Sequence, residues 1–294
     1  MTTDEFIQER IYLKGVSSRT VDWYRCSFRA FDGAMETKQT ILTRIVEIKT
    51  RGASNITINS YLRCVNAYLM WQHKEHGREL LRMPKLKEEQ KVLATLSTDA
   101  ITKVVSFRPP AGDANIIRVH LVAIVILDTG LRISEVLRLT TSDISFDQMI
   151  LHVHGKGNKH RIVPFSQELR KVLYRYARGR TSFIFATRNN TMMSVHNIDH
   201  DMNSLGRMIG ITGVRFSPHT LRHTFAVTFL RNGGDVYVLS RILGHTNITT
   251  TTLYLRSLGV DTLSMAHRKF SPLAAMVRKA GTATGNGSEK SAAC

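Results

Sequence analysis

The chain has 294 residues, of which 43% are hydrophobic, as expected for a globular protein with two domains or one large one. Its longest apolar run, LVAIVIL at residues 121–127, is too short to cross a bilayer, and no signal-like N-terminus precedes it, which argues against a membrane protein. The 41 Lys and Arg residues outnumber the 23 Asp and Glu residues and give a net charge of +18, which favours nucleic acid as a partner over a merely basic enzyme.

Residues 4–80 are predicted to be helical. RTVDWYRCSFRAF and TINSYLRCVNAYLMWQHKEH repeat apolar residues at three- and four-residue steps, and SSRT and SNIT are typical helix N-cap sequences. Basic and aromatic residues alternate here. We expect the aromatic rings to form a core stripe, while the arginines stay free to meet phosphates.

The next segment, LRMPKLKEEQKVLATLSTDA, is charged, contains Pro84 and predicts an interdomain linker over residues 82–96. STDAITKVVSF then predicts a helix capped by Ser97 or Thr98. NIIRVHLVAIVILDTG predicts a buried helix that ends near Gly130.

From about residue 148 the spacing of apolar residues changes from a helical period to the alternation of strands. ILHVH and HRIVPF are short β-type runs on either side of the turn GKGNK, which predicts a hairpin with Lys156 at its tip. Helices are expected to resume and continue to about residue 280. The final stretch, GTATGNGSEKSAAC, has the composition of a disordered tail.

Several residues from position 132 onwards suit phosphoryl transfer. Guanidinium groups bind phosphate through paired hydrogen bonds, His and Lys move protons, and Tyr can form a covalent phosphoenzyme. Arg132 and His219 are each followed three residues later, on the same helical face, by Glu135 and Arg222, and His245 is followed nine residues later by Tyr254.

A zinc site is an alternative, because His219 and His223 are four residues apart. The residues between them include no glutamate of the HExxH type, and Arg222 would repel a cation. The three cysteines, Cys26, Cys64 and Cys294, lack metal or disulfide spacing. We therefore expect no metal site, and a reducing cytoplasm as the location.

Taken in order, the motifs resemble those of the tyrosine recombinases, also called the phage integrase family. TGLRISE matches the first arginine box, GKGNKHR the hairpin lysine, HTLRH the H-x-x-R box, LGH the next histidine, and TTTTLYLR the nucleophile. The resemblance covers about residues 92–256. It implies the catalytic residues Arg132, Lys156, His219, Arg222, His245 and Tyr254, with Glu135 as a supporting acid.

The resemblance also implies the architecture. The expected fold is mainly α with a small antiparallel β-sheet. Residues 1–81 are expected to form a helical, SAM-like core-binding domain, 82–96 a linker, 97–272 the catalytic domain, and 273–294 a C-terminal helix and disordered tail. The first helices begin near residue 4, so we expect no additional arm-binding domain, as in simple Xer-like and transposon enzymes.

The implied reaction needs neither metal nor ATP nor another cofactor. Tyr254 attacks a DNA phosphate to give a 3′-phosphotyrosine and a free 5′-hydroxyl, and the 5′-hydroxyl of another strand then attacks that linkage. Lys156 would protonate the leaving oxygen and His219 would accept the tyrosine proton. Arg132 and Arg222 would balance the phosphate charge, and His245 would bind a phosphoryl oxygen.

The implied partners are double-stranded DNA with paired sites and three further copies of the chain, a dimer on each site, with no membrane. The bound enzyme would lie at the bacterial nucleoid. Integration, excision, resolution and transposition remain open. A type IB topoisomerase shares this chemistry, but the N-terminal helices and the hairpin resemble the recombinases more closely. A noncatalytic DNA-binding protein on the same fold is disfavoured by the intact set of six residues.

Overall fold

The structure, a computed structural model, describes residues 2–88, 93–155, 160–180, 182–187, 189–255 and 258. The chain divides into two compact units, Met1–Lys91 and Val92–Cys294. Twelve α-helices and one three-stranded antiparallel sheet make up the described part. The predicted fold class, mainly α with a small antiparallel sheet, is confirmed.

The first unit is built from four helices. Each begins after a Ser or Thr whose hydroxyl accepts a hydrogen bond from the backbone of the first turn, which satisfies a donor that the helix itself leaves unpaired. The N-caps Ser17 and Ser54 lie in the two sequences predicted to cap helices. The helices are α1 (Thr3–Lys14), α2 (Ser18–Ala30), α3 (Lys38–Thr50) and α4 (Asn55–His76).

Aromatic rings fill part of the core of this unit, as predicted. Tyr24 and Tyr68 are buried, and Phe6 packs edge-on against both of them. Edge-to-face contacts of this kind stabilise a core beyond simple area burial. The arginines of α2 point outwards, and the exposed ones are Arg19, Arg25 and Arg29.

In the segment predicted to be a linker, each described part packs within the unit to which it belongs. The side chains of Asn59 and Asn66 on α4 hydrogen-bond the backbone of Leu86 and Met83, and Met83 is buried in the core of the first unit. At the other end, the backbone N–H of Leu96 donates to Thr224 inside the second unit. Asparagine carboxamides can pair with both backbone groups at once, and this holds an extended segment on a helix.

The second unit surrounds one apolar helix, α6 (Ala114–Thr129), which contacts α5, α8, α9 and α10. Asp113 caps its start, and Gly130 ends it at φ +66°, as the sequence predicted. The other helices of this unit are α5 (Thr98–Ser106), α7 (Ile133–Val136), α8 (Gln167–Ala177), α9 (Val195–Ile209), α10 (Pro218–Arg231), α11 (Val236–Leu243) and α12 (Thr249–Leu255).

The sheet has the strand order β1 (Ile144–Ser145), β2 (Ile150–His154), β3 (His160–Pro164), with both pairs antiparallel. The predicted hairpin is confirmed, and its last described pair joins His154 to His160. Strand β1 was not predicted, because two residues are too few to show an alternating pattern.

Residues 273–294, predicted to form a helix and a tail, lie outside the described residues. Among the helices that are described, none combines the length and the hydrophobicity needed to cross a membrane.

Candidate active site

The turn between α6 and α7 positions Arg132, the first arginine of the predicted site. Gly130 packs so closely against α10 and α11 that an added Cβ would lie 2.3 Å from the Phe225 ring and 2.8 Å from Leu243, in addition to its positive φ. The chain turns sharply here and places Arg132 at the N-cap of α7. Only glycine therefore fits at this turn, and the turn brings Arg132 beside the end of α11.

A buried ion pair supports that arginine. The Glu135 carboxylate, only 6% exposed as a residue, accepts two parallel hydrogen bonds from Arg161 on β3, at 2.9 and 2.8 Å, and one from the Arg132 guanidinium at 3.0 Å. It also accepts the backbone N–H of Arg132. Burial alone would raise the pKa of Glu135, but the hydrogen bonds and charges of Arg161 and Arg132 outweigh it and hold the pKa below its usual value.

The C-terminal end of α11 binds three guanidinium groups. The carbonyl of Ile242 accepts from Arg161 at 2.8 Å, and the carbonyl of Leu243 accepts from Arg222 at 2.9 Å and from Arg132 at 3.2 Å. Unpaired carbonyls and the helix dipole make this end favourable for cations. Because a single carboxylate faces three guanidinium groups, two positive charges remain, and the cluster is therefore suited to bind a phosphate and the extra charge of its transition state.

Arg222 is the most enclosed of the three arginines. It is 6% exposed, and it also donates to the carbonyl of Gly130. Burial, and after it the charge of Arg132, lowers its pKa to about 10, so the guanidinium stays protonated at neutral pH. Arg222 extends from α10 to the carbonyls that end α6 and α11, and so holds a positive charge in the buried wall of the site.

His245 connects Arg222 to α12. Its Nε2 lies 3.1 Å from Arg222 Nη2 and its Nδ1 lies 2.8 Å from the Thr251 hydroxyl. Since Arg222 can only donate, Nε2 is the acceptor and the ring proton resides on Nδ1. Burial, followed by the charges of Arg222 and Arg132, lowers the pKa of His245 to about 4, which keeps the ring neutral.

Tyr254 on α12 is buried beside this cluster, with 4% of its surface exposed. Its ring lies parallel to that of His245 at a centroid distance of 6.5 Å, and its hydroxyl lies 3.2 Å from His223 Nδ1. Burial raises its pKa, although the charge and hydrogen bond of Arg222 oppose this. The phenol of Tyr254 is therefore neutral, with its proton still in place.

The structure thus brings together most of the residues that the sequence singled out, namely Arg132, Glu135, Arg222, His245 and Tyr254. His219 stands one turn before His223 on α10, is exposed, and has its ring 6.4 Å from the His223 ring. Lys156 lies outside the described residues, between Gly155 and the start of β3.

Three residues of the site were not assigned a role from the sequence: Arg161, His223 and Thr251. Arg161 falls within the hairpin sequence GKGNKHR, but nothing local links it to a glutamate 26 residues earlier. The sequence indicates His223 only as half of a candidate zinc pair. Among the described residues, no group of three or more His, Cys, Asp or Glu side chains is placed to hold a metal ion.

Residues 86–259 match the model of the phage integrase family. This match covers more than half of the chain. The chain belongs to the phage integrase family of tyrosine recombinases. It is a DNA strand-exchange enzyme, as its motifs predicted, and the arginine cluster and Tyr254 lie within the matched residues.

The recombinase is similar to curated tyrosine recombinases of the Xer type. It is 29% identical over 253 residues to tyrosine recombinase XerA of Pyrococcus furiosus, covering 83% of this chain and 85% of that one. It is 30% identical to tyrosine recombinase XerD of Yersinia pestis, covering 80% and 81%. The integrase of transposon Tn1549 shares the fold, with a TM-score of 0.74 over 92% of this chain and all of that one, at 19% identity.

Proposed function

We propose that this recombinase cleaves and rejoins double-stranded DNA at specific sites through a 3′-phosphotyrosine at Tyr254. The observation that carries this proposal is the cluster of Arg132, Arg222 and Arg161 around a single carboxylate, directly beside a buried tyrosine. The net charge of +18 suits a DNA partner. The Tn1549 integrase, which shares the fold, was solved in complex with a circular intermediate DNA.

In the first step the Tyr254 oxygen attacks the phosphorus, a bond to the tyrosine forms, and the bond to the 5′-oxygen breaks. Arg132 and Arg222 stabilise the charge that grows on the nonbridging oxygens. A histidine of α10 takes the phenol proton, a role that the family resemblance gives to His219. The second step reverses these bond changes with a 5′-hydroxyl from another strand.

In this scheme Nε2 of His245 donates a hydrogen bond to a phosphoryl oxygen. At rest Nε2 accepts from Arg222, so it must gain a proton before it can donate. The Thr251 hydroxyl on the other side of the ring can either accept from Nδ1 or donate to it. Once Arg222 turns to the phosphate, the neutral ring can exchange protons with solvent water, gaining one at Nε2 and losing one at Nδ1, and the Thr251 hydroxyl then donates to Nδ1.

The decisive experiment traps the covalent intermediate. A duplex nicked just 3′ of the cleaved phosphate loses its short 5′-hydroxyl fragment, so religation fails and the adduct accumulates. We expect a protein–DNA adduct on a denaturing gel at an equal rate in EDTA, because the energy of the broken bond is kept in the phosphotyrosine and no metal takes part. Absence of an adduct would favour a noncatalytic DNA-binding protein. Relaxation of supercoiled DNA by a monomer would instead favour a type IB topoisomerase.

Lys156 is proposed as the general acid for the leaving 5′-oxygen, because the sequence predicts it at a hairpin tip, from which a long side chain can reach that atom. Lys156→Ala is expected to cleave ordinary DNA about 10² to 10⁴ times more slowly. A bridging 5′-thio substrate, whose leaving group needs no proton, is expected to restore the rate. A variant that stays slow on the thio substrate would instead assign Lys156 to phosphate binding.

We further propose that four copies assemble on two DNA sites, and that residues 271–280 of one copy dock on the next. In the sequence Ser271 and Pro272 can start a helix with the apolar stripe Leu273, Met276 and Val277. The second unit offers an apolar cleft of about 990 Å³ between α5, α6, α8 and α10, with Val105, Phe107, Ile124, Val172 and Phe229 among its lining residues. A head-to-tail contact of this kind closes a ring of copies.

A chain that ends at Lys269 is therefore expected to bind a single half-site but to lose cooperative binding to paired sites. Native gel shifts measure this as the loss of the slowly migrating complexes. The full-length variant Leu273→Asp/Met276→Asp, which keeps the tail, should behave in the same way. Normal assembly by both proteins would show that this segment has no role between copies.

A further inference from the structure

Helix α10 carries two histidines one turn apart, and they differ in their relation to the nucleophile. His223 Nδ1 lies 3.2 Å from the Tyr254 hydroxyl, and the two rings are 5.6 Å apart. His219 is exposed near the start of the helix, and none of the contacts between described residues joins it to Tyr254. The deeper histidine is thus the one that is in contact with the reacting oxygen.

The other histidine at the site, His245, does not compete for this role. Its ring is stacked beside the phenol, but Nε2 is occupied by Arg222 and Nδ1 by Thr251. Arg222 also reaches the phenol, but it is protonated and can only donate. His223 is therefore the neighbour with a lone pair directed at the phenol proton.

Protonation states support the geometry. Burial, and then the charges of His219 and Arg222, lowers the pKa of His223 and keeps its ring neutral. Burial raises the pKa of Tyr254. A neutral phenol that donates to a neutral Nδ1 requires the ring proton of His223 to reside on Nε2.

We propose that His223, rather than His219, accepts the proton of the Tyr254 phenol when the tyrosine attacks DNA; this rests on the proposed function. The O–H bond of the phenol breaks and its proton binds the lone pair of Nδ1. The phenol oxygen forms its bond to phosphorus, the bond to the 5′-oxygen breaks, and that oxygen takes a proton from the general acid. On religation the imidazolium returns its proton to the departing phenolate.

The test separates a proton acceptor from a packing residue. Asparagine places an amide oxygen close to the position of Nδ1, so His223→Asn keeps a hydrogen-bond acceptor for the phenol but cannot take its proton. His219→Asn is the matched control on the same helix. Each is made with Tyr254 and with a fluorotyrosine at position 254, whose phenol is more acidic and depends less on a base. Adduct formation on the nicked duplex is measured in a single turnover.

We expect His223→Asn to slow adduct formation about 10²-fold or more, a typical contribution of a general base, and His219→Asn to slow it less. Fluorotyrosine at position 254 should raise the rate of adduct formation about tenfold in His223→Asn, and should raise that of the parent enzyme less. Duplex binding and thermal melting confirm that each variant is folded. If His223→Asn fails these checks, His223→Gln replaces it.

Two outcomes would overturn the proposal. The first is a larger loss and a fluorotyrosine rescue in His219→Asn, which would make His219 the acceptor. The second is a slow His223 variant that fluorotyrosine does not rescue, which would reduce His223 to a packing role. Failure of the proposed function itself would look different, because Tyr254→Phe would then form an adduct or the parent enzyme would form none.

Discussion

Tyr254→Phe is expected to bind DNA as the parent enzyme does and to form no covalent adduct. The substitution removes one oxygen, the atom that we propose attacks the phosphate. The ring stays, and with only 4% of Tyr254 exposed it is the ring that contributes most to packing. Losing the hydrogen bond to His223 should change stability by about 0.5–1.5 kcal/mol, too little to unfold the second unit.

The matched control is Tyr237→Phe, which removes the same atom from an exposed tyrosine on the neighbouring helix α11. It should form the adduct at the parental rate. Both variants are compared on the nicked duplex, with binding measured on an intact one. Adduct formation by Tyr254→Phe at the parental rate would contradict the assignment of the nucleophile.

Of the proposed variants, Glu135→Gln is expected to lose the most stability, about 3–5 kcal/mol, because it leaves Arg161 buried without its counter-ion. Arg161 is 14% exposed and Glu135 5% as side chains, so water screens their contact little. The pair with Arg132, whose side chain is 42% exposed, adds less. Urea unfolding of the full chain, followed by a probe in the second unit, measures the difference.

Asp99→Asn provides the control, since it breaks a pair with Lys103 whose side chains are 75% and 48% exposed. Such surface pairs contribute about 0–1 kcal/mol. The pKa of Glu135 lies below its unfolded value, so its ionisation adds stability above the unfolded pKa of about 4.3, and that stability is lost as the pH falls through the folded value. The unfolding free energies of the parent enzyme and Glu135→Gln should therefore converge in acid. Equal unfolding free energies of these two proteins at neutral pH would contradict the account.

The sequence predicted those features that depend on nearby residues. Ser97 caps α5, and α6 ends at Gly130, because a hydroxyl and a positive φ are local requirements that a short stretch reveals. The β2–β3 hairpin followed from its alternating strands and glycine-containing turn. The order of the motifs, through the family resemblance, indicated five residues that converge at the site, namely Arg132, Glu135, Arg222, His245 and Tyr254.

Contacts between distant parts of the chain could not be predicted in this way. The carbonyls of Ile242 and Leu243 carry no side-chain signal, yet they bind Arg161, Arg132 and Arg222. Arg161, the partner of Glu135, lies on strand β3, and His223, which contacts the Tyr254 hydroxyl, is 31 positions earlier in the chain. Helical spacing alone placed His219 and His223 on the same face, and only the fold shows which of them reaches the phenol.

The most direct test of the central claim is to identify the atom that carries the DNA. The adduct trapped on a 3′-phosphate is digested with trypsin and nuclease, and the modified peptide is sequenced by mass spectrometry. The account predicts a nucleotide joined through its 3′-phosphate to the peptide ILGHTNITTTTLYLR, residues 242–256, whose single tyrosine is Tyr254. Linkage to any other residue, or through a 5′-phosphate, would contradict it.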